Sequence, residues 1–524
     1  MENEIPKEII ESIKKNNQEH LLEYYTKLKT KEEKDDFIKQ LSINDFNLMT
    51  TLYSMYKKEE KDEKYESKDI EAIQSQYSLN NLENIDEYIK KGHEEIYQGK
   101  IGLLILSGGL GTRLGFEHPK GKYNINMPSK KTLFEYLVNR FLSSQMNTKS
   151  ILKDSKLQYK DCTLFIMTNV KTNTEIKNFF EENNYFHLKK ENIIFFPQTE
   201  VCALDLNGKV ILTSPSKLYQ APDGNGGCFT AMKNNKIIDI CLERKIDFIN
   251  VCSIDNPLYK VLDPLFIGLT ILKGKSGINQ MSAKFTKKIN PEQKTGNFLI
   301  YKNKPMMLDY MEMPNDLKYK KKDNGDLVYN ASNILDYLIS VNFLKNVLLN
   351  DEKMKILIGE FHILKKKFDA CYFNKEKNEF EIKKNSDGLK FEIFFNSIFE
   401  FAEKEGLLLF EIEEKNEFAP VKNHDGEISN TPSLTRIKMS NVFKKWFKEN
   451  GGEILNDDEN KILEISFLNS YDGKNLFDNT EIPKKIDMKD VKDGIYFKNS
   501  KIEKKIFFFF FFLEFLIRIK LIIY

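Results

Sequence analysis

Residues 103–140, LLILSGGLGTRLGFEHPKGKYNINMPSKKTLFEYLVNR, constrain this chain more than any other stretch. They continue an apolar run, Ile101–Leu106, whose length suits a buried strand. The run breaks into glycines at Gly108, Gly109, Gly111 and Gly115. Order resumes at Thr132, with Glu135 three residues on, the signature of a helix capping box. Leu133, Phe134, Leu137, Val138 and Phe141 then recur at helical spacing. Strand, glycine-rich loop, basic residues and helix is the order in which α/β proteins hold phosphates. Glycine lets the backbone approach an anion, and consecutive N–H groups can point at it.

Spacing excludes two common phosphate motifs. A dinucleotide fingerprint requires G-x-G-x-x-G. Gly109-Leu110-Gly111 begins one, but Gly115 comes one residue late. A P-loop requires G-x-x-x-x-G-K-[ST]. Five residues separate Gly115 from Gly121, and Tyr123 follows Lys122. Arg113, Lys120 and Lys122 lie in or beside the loop, as a site facing several phosphate charges needs.

A length of 524 residues exceeds one ordinary core and predicts about two or three domains. The net charge of +2, from 80 basic and 78 acidic residues, gives no bias toward nucleic acid or membrane. The six cysteines contain no C-x-x-C pair and read as buried, reduced thiols of a cytoplasmic protein. The opening MENEIPKEIIESIKK is charged and lacks an apolar centre, so it is not a secretory signal.

Residues 1–98 are expected to be helical, with Leu82, Ile85, Ile89 and Ile96 on one face and Gly99 at the end. The mixed-charge run at 57–68 reads as a solvated face or loop. Beyond the glycine loop, CTLFIMTNV at 162–170 and residues 192–196 are candidate strands around a helix at 172–181. Strands alternating with helices predict a parallel sheet covered on both faces. Ligands of such sheets sit beyond the carboxyl ends of the strands.

That rule directs attention to three places. Gln198 follows the third strand, and its amide can both donate and accept. APDGNGG at 221–227 lets backbone pass close to a ligand, and a helix expected at 229–244 offers free N–H groups to an anion. The apolar run at 248–254 ends in Asp255-Asn256-Pro257. A carboxylate at a strand end, beside phosphate loops, is where Mg²⁺ is expected, since that ion takes oxygen ligands and few protein carboxylates. Phe391, Phe394, Phe395, Ile398, Phe401 and Ala402 form an amphipathic stripe ended by Gly406, which reads as core. Val442, Phe443, Trp446 and Phe447 predict a late helix ended by Gly451-Gly452.

GGLGTRLG at 108–115, followed by PKGKYN at 119–124, resembles the eukaryotic UDP-sugar pyrophosphorylases, most closely the UDP-N-acetylhexosamine pyrophosphorylases. The loop of that family runs G-G-x-G-T-R-L-G and then P-K-G. APDGNGG is similar to the family's second signature, and Ile254-Asp255-Asn256 falls on its V-D-N. The residues from Ala283 to Pro291, with Thr295-Gly296, resemble A-K-V-V-E-K-x-N-P…V-G. Leu308-Asp309-Tyr310-Met311-Glu312 falls on V-E-Y-S-E with a shortened first acid, and YNASNI at 329–334 on F-N-A-G-N-I. HILKKK at 362–367 and EFAPVKN at 417–423 match H-V-A-K-K-K and E-F-S-P-L-K-N. The resemblance spans about 85–425, some two-thirds of the chain.

Together these readings give an α/β protein with a Rossmann-like nucleotidyltransferase core of mixed, mostly parallel sheet at 99–430. A helical N-terminal region at 1–98 precedes it, and a small C-terminal domain at 431–505 and an apolar tail at 506–524 follow. The resemblance implies that UTP and N-acetylglucosamine 1-phosphate are converted to UDP-N-acetylglucosamine and pyrophosphate with Mg²⁺ as cofactor. It makes Arg113 and Lys120 the catalytic cations. It assigns Leu106, Ser107, Gly108, Gly109, Gln198, Gly224, Asp255 and Lys366 to the nucleotide, with Gln198 on the uracil and Asp255 also at the metal. Asn225, Gly296, Asp309, Tyr310, Asn330 and Lys422 would seat the sugar phosphate. By composition alone Lys366 is an ordinary exposed lysine.

Two departures keep alternatives open. Leu110 stands where the family usually has Gln, and Leu is more familiar in UDP-glucose relatives, so a UDP-glucose or broad UDP-sugar enzyme is the nearest alternative. The family's G-M-L-P after the uracil glutamine is replaced by Thr199-Glu200-Val201-Cys202. A non-catalytic nucleotide-sugar binder, the alternative of another class, would not need Arg113, Lys120 and Asp255. Only small-molecule partners are expected, with no nucleic acid and no membrane. The last 19 residues, 506–524, fall short of the roughly 20 needed to span a bilayer. They also carry Glu514, Arg518 and Lys520, each costly at mid-membrane. With six consecutive phenylalanines at 507–512, they read as a poorly ordered or artefactual low-complexity end rather than a tail anchor.

Overall fold

The computed structural model describes residues 5–59, 65–73, 77–274, 281–359, 361–478, 482–492 and 494–499. The expected tail at 506–524 and part of the charged run at 57–68 lie outside the described residues.

The glycine-loop strand Ile101–Leu106 sits inside the main sheet. It pairs in parallel with Leu164–Thr168 on one side and with Phe248–Ser253 on the other, and Ile193–Pro197 extends the parallel set. Ala331–Ser340 runs antiparallel between Phe248–Ser253 and Met281–Lys287. Leu407–Ile412 and Tyr77–Ser78 continue the sheet in parallel beyond Met281–Lys287. The core is therefore α/β and Rossmann-like, with a mixed, mostly parallel sheet.

Side chains alternate across a strand. Ile101, Leu103 and Ile105 enter the core shared with helix Leu133–Ile151, whereas Leu104 and Leu106 enter the opposite core with helices Gly227–Asn234 and Ile237–Glu243. A strand covered on both faces must be apolar throughout, which is why these strands stand out in the sequence. Helix Leu133–Ile151 opens with the expected capping box: Thr132 Oγ1 accepts from Glu135 N at 3.4 Å, and Thr132 N donates to Glu135 Oε2 at 2.7 Å.

Two local expectations are corrected. The helix expected at 229–244 is two helices, Gly227–Asn234 and Ile237–Glu243, broken where Lys236 takes a left-handed φ of 54°. The aromatic stripe at 391–402 is core, as expected, and is carried by two elements: Phe391 lies in the strand Glu379–Glu392, and Phe395–Phe401 is a 3-10 turn. Phe391, Phe395, Ile398 and Ala402 are buried and Phe394 and Phe401 half-buried, since a strand and a turn can present one apolar face between them. Within the helical expectation for 1–98, Ile70–Ala72 and Tyr77–Ser78 are short strands of the main sheet.

The helices Lys7–Lys15, Glu19–Tyr25, Lys31–Ile43 and Phe46–Glu59 pack on a second, five-stranded sheet. Ile13, Leu21, Phe37 and Leu52 meet Leu204, Leu212, Cys371 and Leu389 there. That sheet is dominated by the long hairpin His362–Asn374 and Glu379–Glu392. Helix Pro432–Glu449 places Phe443, Trp446 and Phe447 in the same core as Leu133–Ile151. Arg140 is fully buried at this junction, lies 4.6 Å over the Phe467 ring and donates to Leu258 O at 2.7 Å. All six cysteines are buried and free. Among the described residues no helix is long and apolar enough to cross a membrane.

Candidate active site

The carboxyl ends of the parallel strands converge on one edge. Ser107 N donates to Met167 O at 3.0 Å, Gln198 N to Thr168 O at 2.8 Å, and Ile254 N to Leu106 O at 3.2 Å. This register brings the glycine loop, Gln198 and Asp255 to the same side of the sheet. The Pro-Lys-Gly segment folds back over the loop, with Gly111 N on His118 O at 3.0 Å and Lys120 N on Gly109 O at 3.1 Å. Lys120 is thereby carried from the loop toward Asp255.

Lys120 Nζ lies 3.8 Å from Asp255 Oδ2, with both side chains largely buried. Burial lowers the Lys120 pKa, Asp255 opposes this, and the charges of Lys422 and Arg113 add to the lowering. Burial would raise the Asp255 pKa, but Lys120 and Lys422 outweigh it and hold the carboxyl below its ordinary value. A cluster of cations around one ionised carboxylate is suited to a polyanionic ligand.

Lys422 reaches this cluster because its segment is stitched to the Asp255 turn. Val421 N donates to Asp255 O at 2.8 Å, Ala419 N to Asn256 Oδ1 at 2.9 Å, and Asn256 Nδ2 to Glu417 O at 2.7 Å. Glu417 is itself anchored: Lys284 Nζ lies 2.7 Å from Glu417 Oε2 and 2.8 Å from Asp263 Oδ2, in full burial. Asp336, 3.7 Å from the same Nζ, is pushed up to about 7 by burial in spite of that lysine.

On the other side of the loop, Gln198 is buried beside Gly108 and Gly224. Gly108 has no room for a side chain, since a Cβ there would stand 2.1 Å from Gln198 Oε1. Gly224 has φ +86°, and a Cβ would stand 2.4 Å from Ile393 O, so only glycine fits the turn that Gly226 N clips to Ile393 O at 2.8 Å.

Between these parts lies a cleft lined by five of the expected residues, Asn225, Asp255, Gly296, Asp309 and Lys422. Asn225 Oδ1 is fixed by Phe395 N at 2.9 Å, and Asp309 Oδ1 by Met311 N at 3.0 Å. The far wall is the irregular part of Ala331–Ser340. The register shift opposite Lys284 and Phe285 leaves Ile334 and Leu335 unpaired toward the cleft, and Leu335 takes φ 62°. Bulges recur beside active sites because they re-aim side chains.

Leu106 is buried at the strand end, and the Ser107 hydroxyl is committed to Met167 O at 2.8 Å, which leaves backbone to serve a ligand. Gly109 faces open space. Arg113 is exposed on the turn Thr112–Leu114. Asn330 takes Lys288 N on its carbonyl at 2.7 Å and does not line the cleft, nor does Tyr310. Lys366 is exposed on the long hairpin opposite Gly388 and is not brought to the cleft. Sequence reasoning missed Thr295, Asn333 and Asn396, which line the cleft. Thr295 and Asn333 sit inside quoted motifs, so their polarity was a usable signal; Asn396 lies in an apolar stripe and gave none.

Residues 44–450 match the family model described as UTP–glucose-1-phosphate uridylyltransferase. The chain is 32% identical over 392 residues to UDP-N-acetylglucosamine pyrophosphorylase of Saccharomyces cerevisiae, covering 75% of this chain and 78% of that one. It is 32% identical over 404 residues to the mouse UDP-N-acetylhexosamine pyrophosphorylase-like protein 1, covering 74% and 76%. The crystal structure of a UDP-N-acetylglucosamine pyrophosphorylase from Entamoeba histolytica superposes with a TM-score of 0.70 at 29% identity, over 82% of this chain and 100% of that one. The chain therefore belongs to the UTP–glucose-1-phosphate uridylyltransferase family of nucleotidyltransferases, among its UDP-N-acetylhexosamine pyrophosphorylase members.

Proposed function

We propose that this chain joins UTP and N-acetylglucosamine 1-phosphate into UDP-N-acetylglucosamine and pyrophosphate, acting in the cytoplasm. One observation carries the reading. Lys120 and Lys422, from stretches far apart in sequence, meet over the ionised Asp255 at the edge of a cleft that Asn225, Asp309 and Asn333 make polar. The names of the relatives supply the sugar.

The sugar phosphate oxygen attacks the α-phosphorus of UTP, and pyrophosphate leaves in line. No covalent intermediate is needed, so the protein's task is to position two anions and neutralise charge as it develops. Lys120 stands where it can follow charge onto the leaving group. Lys422 holds the attacking phosphate against like-charge repulsion. Glycine-loop backbone supports the nucleotide's phosphates. Asn225, Asp309 and Asn333 offer the mixed donors and acceptors that sugar hydroxyls require.

Mg²⁺ fits Asp255: the carboxylate lines the cleft and stays ionised, and this ion is usually held by one or two carboxylates together with substrate phosphates. When bound, it would neutralise charge across the phosphate oxygens.

The test is pyrophosphate release from UTP with a panel of sugar 1-phosphates. N-acetylglucosamine 1-phosphate should give the highest kcat/KM. A higher value with glucose 1-phosphate would overturn the assigned sugar, and no release with any sugar would overturn the activity.

A further inference from the structure

We infer that Lys288 is a positioning residue for the sugar 1-phosphate: its buried ammonium braces the loop that walls the cleft, and the bound anion becomes its charge partner. This rests on the functional reading above for the substrate but adds a residue to it. Lys288 follows the strand Met281–Lys287, and the next strand is Asn297–Tyr301. The loop between them brings Lys294, Thr295 and Gly296 to the cleft. Lys288 Nζ reaches across from its beginning to its end, donating to Thr295 O at 3.2 Å and to Asn297 Oδ1 at 2.9 Å. Its backbone is held as well, with Lys288 N on Asn330 O at 2.7 Å. Asn297 Nδ2 donates to Tyr329 O at 2.5 Å, Asn333 N to Gly296 O at 2.9 Å, and Ser332 Oγ to Thr295 Oγ1 at 2.6 Å. The lysine therefore joins the loop to residues 329–333, which carry the cleft residue Asn333. Ser332 fixes the Thr295 side chain, and Lys288 fixes its carbonyl.

Hydrogen bonds alone do not account for a lysine here. Lys288 is 4% exposed, both of its acceptors are neutral, and among the described residues it makes no ion pair. Lys284, also buried, has Asp263 at 2.8 Å and Glu417 at 2.7 Å. A buried charge without such a partner is costly. Burial pulls the Lys288 pKa down to about 8, and Lys318 adds to the fall, while Asp309 and Glu292 oppose it. Glu292 is itself taken up by Lys318 at 2.9 Å and by the Tyr319 hydroxyl. The ammonium stands one residue behind the cleft wall, so its positive charge acts inside the cleft. Binding and protonation are then linked: an anion in the cleft favours the charged lysine, and the charged lysine favours the anion. As pH rises through the pKa of Lys288 that charge is lost, so the sugar phosphate binds more weakly on the alkaline side.

The experiment measures KM for UTP and for N-acetylglucosamine 1-phosphate from about pH 7 to about pH 9.5, where the substrate phosphates stay ionised. It compares the unmutated protein, Lys288→Met and Lys288→Arg. In the unmutated protein the sugar phosphate KM should rise by about fivefold or more across this range, while the UTP KM changes little. Lys288→Met should show the raised sugar phosphate KM already at the lower pH, with no alkaline rise. Lys288→Arg stays charged throughout and should keep the low KM at both ends. Circular dichroism shows whether each variant is folded, and should Lys288→Met not fold, Lys288→Arg decides by losing or keeping the alkaline rise. An unchanged sugar phosphate KM in Lys288→Met, an alkaline rise that persists in Lys288→Arg, or a UTP KM that moves as much as that of the sugar phosphate would overturn the inference. Absence of turnover in the unmutated protein would instead overturn the functional reading. Calorimetric affinity for UDP-N-acetylglucosamine at the two pH limits would still judge Lys288, since it should fall in the unmutated protein and hold in Lys288→Arg.

Discussion

Asp255 shows how one residue's environment selects its role. A largely buried carboxylate at a strand end would ordinarily be protonated more readily, yet Lys120 and Lys422 keep it ionised. Asp255→Asn should abolish most Mg²⁺-dependent turnover, a loss on the order of 10²-fold or more, because an amide is a poorer ligand for a hard cation. A magnesium titration matching the unmutated protein would remove the metal role. Asp255, which the sequence puts at the end of an apolar run, and Asn225 and Lys422, to which only the family resemblance pointed, all line the cleft. Asn396 was not legible, since a single polar residue inside an apolar stripe carries no signal of its own. Lys366 is the opposite case: its motif drew it toward the ligand, while its composition pointed to the exposed position it occupies.

At the scale of elements, the strands around the loop were readable because burial on both faces demands unbroken apolar runs. Helix Leu133–Ile151 was readable from its cap. Thr132→Ala should cost about 1 kcal/mol of stability, seen as a lower urea midpoint by circular dichroism with turnover per folded molecule unchanged. An unaltered midpoint would mean that the capping box contributes nothing. The break at Lys236 escaped notice because a left-handed lysine leaves no mark in hydrophobic spacing. The long hairpin escaped for another reason. Lys365, Lys366 and Lys367 stand exposed on it in succession, so its alternation is weak and gives no strand signal.

At the scale of the whole molecule, the proposed reaction needs distant stretches to make one charge-neutralising unit. The Lys284–Glu417 pair, the Asn256 bridge and the Asp255 turn tie residues 417–422 to the edge of the parallel sheet. In the proposed reaction Lys120 and Lys422 would act on the same phosphates, so their effects on turnover should be coupled. The direct measurement is a double-mutant cycle on kcat with Lys120→Ala and Lys422→Ala, using UTP and N-acetylglucosamine 1-phosphate. Each single change should lower kcat on the order of 10²–10³-fold. Together they should fall short of the product of the two losses by about tenfold or more, as residues acting as a unit do. Near-normal turnover in either single variant, or losses that simply multiply, would contradict the account.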